Sequence, residues 1–344
     1  MAMTREQKFV LGALTGLGAA LTAGRMVRSR RAIDFSGRTV VITGGSRGLG
    51  LVLARQFANQ GAHVCLLARD PRELDRAKRL IAEEFGEAGV MTIRCDIRRR
   101  ADVREAVTRV LDEWVAIDVL VNNAGVIQVG PFDHMEHDDF ETALATHFWG
   151  PLHMMLEVLP SMRRRGFGRI VNISSIGGRI GVPHLAPYSA SKFALIGLSD
   201  AVRAELAPHG IRVTTVSPGL MRTGSPMNAE IKGQHEKEYA WFAVADSLPG
   251  LSIGAERAAA QIIEACRYGD PEATLSLPAR AAVLVNAISP AVVARLSELV
   301  ARLLPGPAGA EGNVARRGRE SESRWAPSVA TALTDKAAVL NNET

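Results

Sequence analysis

The stretch Thr43-Gly-Gly-Ser-Arg-Gly-Leu-Gly50 decides the fold, because it joins an apolar run to a helical pattern. Residues 38–43 predict a buried strand, and residues 48–60 predict the helix that follows it. A glycine-rich turn in that context presents backbone N–H groups and a helix N-terminus to an anion such as a pyrophosphate. The stretch therefore predicts the first strand, turn and helix of a dinucleotide-binding sheet.

Each glycine of this turn has a different expected task. Gly44 permits the tight bend, Gly48 lets the backbone approach a pyrophosphate, and Gly50 lets the helix pack closely on the sheet. The spacing G-x-x-x-G-x-G differs by one residue from the commonest dinucleotide fingerprint. The rest of the chain must therefore support the prediction.

Apolar strand patterns and helical patterns alternate along residues 36–277. Strands are predicted at 38–43, 63–68, 90–95, 118–122, 169–174, 211–217 and 273–277, and helices at 48–60, 72–85, 101–114, 138–164, 186–207 and 255–268. Near-continuous apolar strands that alternate with helices favour a parallel sheet covered on both faces. We therefore predict an α/β fold with a single doubly wound, Rossmann-type domain.

Three further segments depart from this alternation. Residues 224–252 carry Tyr239, Trp241 and Phe242, and they are interpreted either as a lid over an apolar substrate or as a helical pair packed on the core. Residues 278–305 predict an apolar helical extension split at Pro290. Residues 306–344 predict a disordered tail, because they are charged, contain Gly and Pro, and have few large apolar side chains.

Residues 1–31 combine an apolar segment with a basic flank. Residues 9–24 are sixteen uncharged residues, which as a helix at ~1.5 Å per residue would span about 24 Å of a ~30 Å hydrocarbon core. A cleaved signal peptide and a helix packed on the protein's own surface are two interpretations. We favour a third, a short membrane anchor over residues 9–27, since the uncharged run lacks the polar face of a surface-lying helix.

The charges around this segment predict its orientation. Arg25, Arg28, Arg30 and Arg31 follow the apolar run, so the positive-inside rule places the C-terminal side of the run, with the α/β domain, in the cytoplasm. A soluble cytoplasmic protein is the alternative.

Composition excludes some classes of partner. The formal charge is +5 and the pI is near 9.4, but aromatic residues are only 5% and none interleaves with the arginine clusters. We therefore expect no nucleic-acid partner. Cys65, Cys95 and Cys266 are far apart in sequence, which predicts buried free thiols and no metal site.

The residues Tyr188-Ser-Ala-Ser-Lys192 carry the predicted chemistry. A Tyr and a Lys four residues apart lie on one face of a helix, where the ammonium would lower the pKa of the phenol from its ordinary value near ~10. The pair is typical of a phenolic general acid/base with its activator, and Ser175 is the hydroxyl that would hold a substrate oxygen. Alone the pair is a weak signal, but with the glycine turn upstream it becomes a specific one.

With these motifs together, the chain resembles the short-chain dehydrogenase/reductase family over residues 36–277. The matching motifs are TGGSRGLG at 43–50, NNAG at 122–125, NISS at 172–175, YSASK at 188–192, and SPG at 217–219 with Thr223 after it. The resemblance implies an NAD(P)-dependent enzyme acting on CH–OH groups, sheet order 3-2-1-4-5-6-7, and a homo-oligomer.

The resemblance also implies roles for individual residues. Asp96 would hydrogen-bond near the adenine, Asn122 and Asn123 would stabilise the sheet under the cofactor, and Lys192 would also hold the nicotinamide ribose. Together with the residues of the glycine turn and the second strand, the expected cofactor contacts are Gly44, Ser46, Arg47, Gly48, Leu49, Gly50, Arg69, Asp96, Ile97, Asn123, Ala124, Gly125, Tyr188, Lys192, Pro218, Gly219 and Thr223.

The end of the second strand bears on which dinucleotide is bound. An acidic residue there usually excludes a 2′-phosphate, and an arginine accepts it. Here Arg69 ends the strand, Arg47 in the glycine turn adds a second cation, and Asp70 comes one place later than the usual excluding acid. We therefore predict NADP(H), with a solvated loop charge as the alternative for Arg69.

One position departs from the family pattern. Many members carry an Asn that orders a proton-relay water three residues before a Gly in the fourth helix, and the aligned residue here is His147. An imidazole can donate and accept hydrogen bonds, so His147 is a candidate catalytic residue beside Ser175, Tyr188 and Lys192. The equal alternative is a histidine with a structural hydrogen bond.

These observations predict an NADP(H)-dependent oxidoreductase that interconverts a carbonyl and a primary or secondary alcohol. The aromatic and apolar segments favour a small lipophilic substrate, such as a 3-oxoacyl compound, a sterol or a retinoid-like aldehyde. The alternative from another class is an NADP(H)-binding sensor or scaffold with little turnover, because the relay Asn is replaced by His147.

Overall fold

The computed structural model describes residues 22, 24, 26–86 and 89–343. Its centre is a seven-stranded parallel sheet. The strands are β1 Thr39–Thr43, β2 His63–Ala68, β3 Val90–Arg94, β4 Val119–Asn122, β5 Gly168–Ile173, β6 Ile211–Pro218 and β7 Glu272–Leu275. Their order in the sheet is β3-β2-β1-β4-β5-β6-β7, which confirms the predicted doubly wound fold and strand order.

Helices cover both faces of this sheet. They are α1 Gly48–Ala58, α2 Pro71–Phe85, α3 Arg100–Trp114, α4 His137–Leu144, α5 Gly150–Arg165, α6 Ala186–Leu206, α7 His235–Ser247, α8 Ala255–Tyr268, α9 Leu277–Ile288, α10 Pro290–Ala301 and α11 Ala332–Leu340. One core cluster joins the sheet to α1, α2 and α8, and a second joins its other face to α3 and α5. All five side chains of β1 are buried, as expected for a strand covered on both faces.

The parallel strands end at one edge of the sheet, and this edge positions the site. β1 ends at Thr43 before the glycine turn, β2 ends before Arg69, and β4 ends before Asn123. β5 ends two residues before Ser175. Ligands of such sheets bind in the crevice outside these carboxyl ends, so the fold alone brings the predicted residues together.

The long helix predicted over residues 138–164 is divided in the structure. A π-helical turn, Ala145–Trp149, separates α4 from α5. A π turn holds one residue more than an α turn and occurs often at functional sites. Within it His147 is buried whereas Trp149 is 49% exposed.

The segment 224–252 favours the interpretation as a helix packed on the core rather than a lid. It contains α7, whose Tyr239 and Phe242 are buried in a third apolar cluster. The residues expected to cover a substrate therefore contribute to packing.

The apolar extension forms a helical hairpin. The predicted split at Pro290 is confirmed, since α10 begins there. The hairpin leaves large apolar side chains exposed, among them Leu284 at 61% and Ile288 at 75%.

The prediction of a disordered tail is wrong for residues 306–343, which we call the strap. The short strand Arg316–Arg317 pairs antiparallel with Glu230–Ile231, and α11 packs on α7. Composition misleads here because hydrogen bonds and β-pairing, with small buried residues such as Ala326 and Ala338, hold the strap without a large apolar core.

The basic flank is partly built into the domain. The Arg28 guanidinium pairs with Asp270 at 2.8 Å and stacks over the Tyr268 ring, and the Arg31 carbonyl accepts a hydrogen bond from Arg169. The apolar run 9–24 lies outside the described residues, apart from Thr22 and Gly24. Across the part of the chain that is described, no helix is both long and apolar enough to cross a membrane.

The prediction of buried free thiols is confirmed. Cys65, Cys95 and Cys266 are buried free thiols. Burial raises the pKa of each, which keeps these thiols protonated and unreactive.

Candidate active site

The glycine turn is tied to the end of β4 by a compact set of hydrogen bonds. The Thr43 hydroxyl accepts from the backbone N–H groups of Asn123 at 2.9 Å and Ala124 at 3.1 Å. The Asn123 side-chain amide donates to the carbonyls of Thr43 and Gly44, both at 3.1 Å. Asn122 in turn donates to Asn172 on the neighbouring strand at 2.8 Å. The expected structural roles of Asn122 and Asn123 follow from these bonds.

The turn has no room for side chains. A Cβ on Gly44 would lie 2.8 Å from the Ala124 Cα, and a Cβ on Gly50 would lie 2.0 Å from the Gly44 carbonyl oxygen. Gly44 and Gly48 also have positive φ angles of 63° and 54°. The glycines are therefore required by both space and backbone conformation. This close-packed cradle at a helix N-terminus fits a dinucleotide pyrophosphate.

A cavity of about 860 Å³ opens beside this turn. Most of the predicted site residues line it: Gly44, Ser46, Arg47, Gly48, Leu49, Arg69, Asp96, Ile97, Asn123, Ala124, Gly125, His147, Tyr188, Lys192 and Thr223. Gly50, Ser175, Pro218 and Gly219 are not part of its lining. Gly50 lies behind the turn, where it allows the close packing described above.

The wall opposite the glycine turn carries the predicted catalytic group. Tyr188 and Lys192 lie on successive turns at the start of α6, where Lys192 is buried and Tyr188 is half-buried. Ser175 follows β5, and its Oγ accepts a hydrogen bond from the Gly177 N–H at 3.0 Å. The Tyr188 ring and Ser175 Oγ flank the same glycine, Gly177, and the Ser175 side chain acts to lower the pKa of the Tyr188 phenol. The structure thus brings the three residues together.

The pKa values of Tyr188 and Lys192 differ from those expected for a phenol activated by a neighbouring ammonium group. Burial raises the pKa of Tyr188, and only the hydrogen bond from Ser175 lowers it. The Lys192 Nζ lies 5.5 Å from the Tyr188 ring centroid and donates to the Ile173 carbonyl at 2.8 Å, and burial lowers its pKa to about 7. Desolvation thus dominates at Tyr188, and its phenol does not have the lowered pKa that the helical spacing to Lys192 predicts.

This arrangement suits acid–base chemistry on an oxygen. A neutral phenol can donate a proton to a substrate oxygen, and a lysine with a pKa near neutrality can exchange protons with its surroundings.

Both ring nitrogens of His147 have partners. Its Nε2 accepts from the Val126 N–H at 3.1 Å, so that nitrogen carries no proton. Its Nδ1 lies 2.7 Å from Ser191 Oγ, and the Ser191 hydroxyl donates to the Tyr188 carbonyl at 2.8 Å. Burial, with Lys192 nearby, lowers the pKa of His147 well below its ordinary value. The geometry favours a neutral histidine that positions the α6 backbone at Tyr188.

The end of β2 carries charges of both signs beside the cavity. Asp70 caps α2, and its carboxylate accepts from the N–H groups of Arg72 and Glu73. Asp70 also lines the cavity, with its carboxylate hydrogen-bonded to the start of α2. Arg69 lines the cavity, while Arg47 contacts Glu73 at 3.4 Å.

Two other predicted contacts have partners within the chain. The Asp96 carboxylate binds the Arg98 guanidinium at 2.6 Å, which lowers the pKa of Asp96. The Thr223 carbonyl accepts from the Asn341 side chain at 3.3 Å.

Sequence reasoning missed two groups of site residues. Ser191 lies between Tyr188 and Lys192, where its helical spacing from Tyr188 could have suggested a contact with the same wall. Asn341, Asn342 and Glu343 of the strap contact the glycine turn, and no motif in the sequence points to them.

Comparison with known proteins agrees with this geometry. The family model described as short chain dehydrogenase matches residues 38–235. A 3-ketodihydrosphingosine reductase of Bacteroides thetaiotaomicron is 36% identical over 200 residues, which are 57% of this chain and 70% of that protein.

Two solved structures share the fold closely. A short-chain dehydrogenase from Streptomyces avermitilis is 28% identical, with a TM-score of 0.66 over 78% of this chain and 99% of its own. The L-sorbose reductase of Gluconobacter frateurii, solved with NADPH and L-sorbose, is 26% identical, with a TM-score of 0.63 over 71% of this chain and 97% of its own.

The geometry of His147 generates a prediction. His147→Ala should lower kcat about tenfold, roughly the value of one lost positioning hydrogen bond, while the pH profile keeps its shape between about 6 and 7. Ser191→Ala should also lower kcat, because it removes the hydrogen bond from the Ser191 hydroxyl to the Tyr188 carbonyl. Steady-state kinetics from pH 5.5 to 9 with each variant check this. Loss of an inflection near 6–7 in His147→Ala alone would instead mean that the imidazole titrates during turnover.

Proposed function

The chain belongs to the short-chain dehydrogenase family, and from this premise we propose that it is an NADP(H)-dependent reductase of lipophilic carbonyl compounds. Its membership makes it an oxidoreductase that acts on CH–OH groups with NAD(P). The choice of NADP(H), the class of substrate and the roles of individual residues are our proposal. Its main support is the cluster of Ser175, Tyr188 and Lys192 beside the cavity of the glycine turn.

The proposed division of labour follows from the positions of these residues. A bound NADP(H) would supply the hydride in reduction and accept it in oxidation. Ser175 would hold the substrate oxygen, and Tyr188 would donate its proton to that oxygen in reduction or take it up in oxidation. Lys192, with its pKa near 7, would return the proton to Tyr188 after each turnover.

The proposal of a lipophilic substrate is supported by the apolar surroundings of the site. The α9–α10 hairpin exposes its apolar side chains and is attached next to the site, where Asn286 of α9 donates to the Arg179 carbonyl at 3.2 Å. The similarity to a 3-ketodihydrosphingosine reductase points the same way. We propose a 3-oxoacyl compound, a sterol or a retinoid-like aldehyde as the class to test first.

The rival function is a dinucleotide-binding sensor or scaffold. A pure binding protein has no need of Ser175, Tyr188 and Lys192 together beside the cavity, which favours an enzyme. Purified protein assayed for NADPH oxidation with detergent-solubilised ketones and aldehydes separates the two. NADPH binding without turnover of any carbonyl would favour the sensor.

Tyr188→Phe should lower turnover by a hundredfold or more, because general acid–base catalysis contributes about 10²–10⁴-fold. NADPH affinity should stay close to that of the wild type. Tyr268→Phe is the matched control, since the same hydroxyl is removed where the ring stacks on Arg28, away from the cavity. Equal turnover of the two variants would disprove the proposed role of Tyr188.

Arg69→Asp should shift the preference from NADP(H) toward NAD(H) by more than about tenfold, because a 2′-phosphate would lose a cation and meet a like charge. The control is Arg79→Asp, which makes the same charge change on the exposed face of α2. Ratios of kcat/KM for NADPH and NADH decide the matter. A wild-type protein that already prefers NADH would overturn the assignment.

For residues 9–27 we propose a membrane anchor with the catalytic domain on the cytoplasmic side. Deletion of residues 1–24 should move the protein from the membrane fraction to the supernatant and leave NADPH binding unchanged, because Arg28 and Arg31 keep their contacts. Leu17→Arg, which places a charge inside the apolar run, should act in the same direction. Full-length protein in the supernatant without detergent would favour a helix packed on the protein itself.

We also propose a homo-oligomer. Trp149, Leu156 and Phe193 are each at least 46% exposed on or beside α5 and α6, so they offer apolar surface to a second copy.

A further inference from the structure

The strap leads from the α9–α10 hairpin back to the glycine turn. Its short strand pairs with Glu230–Ile231, and Thr331 accepts a hydrogen bond from Ser247 at 3.2 Å. α11 then packs so closely on the loop after Thr223 that a Cβ on Gly224 would lie 2.4 Å from the Ala338 Cα. Ala338 is fully buried, whereas its neighbour Val339 is 69% exposed.

Residues 341–343, the tip of the strap, occupy the start of α1. The Asn341 carbonyl accepts from the Gly48 N–H at 2.8 Å. The Asn342 side chain donates to the Ser46 carbonyl at 2.8 Å and accepts from Arg76 Nε at 2.7 Å. The backbone N–H that an anion would take at this helix N-terminus is therefore already used by the chain itself.

Glu343 places its side chain over the glycine expected to approach the pyrophosphate. A Cβ on Gly48 would lie 2.5 Å from Glu343 Oε1. The Glu343 carboxyl accepts from the Asn228 amide at 2.7 Å and lies 3.4 Å from Arg47 Nε. It is only 6% exposed and lines the same cavity as Arg69 and Tyr188. A carboxyl group thus takes the position and the partners that suit a phosphate.

We propose that the tip of the strap is a built-in competitor of the dinucleotide. This inference rests on the proposed function, because it requires the glycine turn to be the site of the pyrophosphate. The Gly48 N–H cannot donate to Asn341 and to a phosphate at once, and the Glu343 carboxyl fills the space over Gly48. Binding of NADP(H) therefore requires that the tip leave, and the apparent affinity is reduced by the fraction of molecules in which it is docked.

The contacts of the strap suit reversible release. The tip is held by hydrogen bonds to polar groups that water can replace, and α11 exposes Leu333, Val339 and Leu340. Segments with few buried apolar contacts open at lower free energy than the core. α11 and the tip can therefore leave while the seven-stranded sheet stays intact.

Two substitutions outside the cavity test the proposal. Ala338→Glu places a charge at a fully buried position of α11, and Val339→Glu makes the same addition on its exposed face as the matched control. NADPH titrations by calorimetry should show binding at least about tenfold tighter in Ala338→Glu, as expected if the tip is docked in nine of ten wild-type molecules. Val339→Glu should bind like the wild type.

Arg76→Ala provides a second variant that spares α11. It removes the hydrogen bond to Asn342 and lies outside the cavity lining, so it should tighten NADPH binding in the same direction. Hydrogen exchange of residues 332–343 supplies a readout independent of turnover. In the wild type, saturating NADPH should reduce protection of this segment.

The possible results distinguish failure of the strap proposal from failure of the proposed function. Suppose that hydrogen exchange shows the strap released in Ala338→Glu and Arg76→Ala, but that both variants bind NADPH no more tightly than the wild type does. That result would overturn the proposal that the tip competes with the dinucleotide, and it would leave the enzyme assignment intact. Increased protection of residues 332–343 on NADPH binding would also overturn it, because the strap would then cover the cofactor. If neither the wild type nor any variant binds NADPH or NADH, the proposed function fails.

Discussion

No side chain fits between the first turn of α1 and the end of β1, and the rest of the structure depends on this steric constraint. A Cβ on Gly50 would lie 2.0 Å from the Gly44 carbonyl oxygen. Because α1 can approach the sheet this closely, its first N–H groups point into the crevice at the carboxyl edge of the strands. The cradle for a dinucleotide and the docking place of the strap are two consequences of the same missing side chains.

The opposite wall of the crevice depends on burial. Ser175, Tyr188 and Lys192 meet where the end of β5 faces the start of α6, and desolvation moves the pKa of Tyr188 up and that of Lys192 down. Lys192 therefore moves toward a pKa suited to proton exchange near neutral pH, whereas Tyr188 is held as a neutral phenol that can donate its proton. The π turn between α4 and α5 places His147 behind this wall, where it connects Val126 to Ser191 and so to the backbone of Tyr188.

Much of this could be predicted from the sequence, since the strands, helices and motifs are local patterns and parallel strands bring their ends to one edge. The strand order, the break at Pro290 and the assembly of the cavity from the glycine turn and Tyr188 are examples. What escaped prediction depends on distant contacts. Asn342 and Ser46 are separated by 296 positions, and nothing near either residue marks the other. The direction of the pKa shift at Tyr188 likewise follows from burial in the tertiary structure. The helical spacing between Tyr188 and Lys192 carries no information about that burial.

The central claim is that hydride passes to a carbonyl carbon beside Ser175 and Tyr188. The most direct measurement uses NADPH carrying deuterium at one face of nicotinamide C4, with a 3-oxoacyl thioester, a steroid ketone and a long-chain aldehyde as acceptors. Each face of C4 is labelled in a separate NADPH preparation. The account predicts that one of the two preparations gives, from at least one acceptor, an alcohol with a single deuterium on the former carbonyl carbon, as read by mass spectrometry. Consumption of NADPH without deuterium in the product would contradict it, as would the absence of any turnover in protein whose strap has been released.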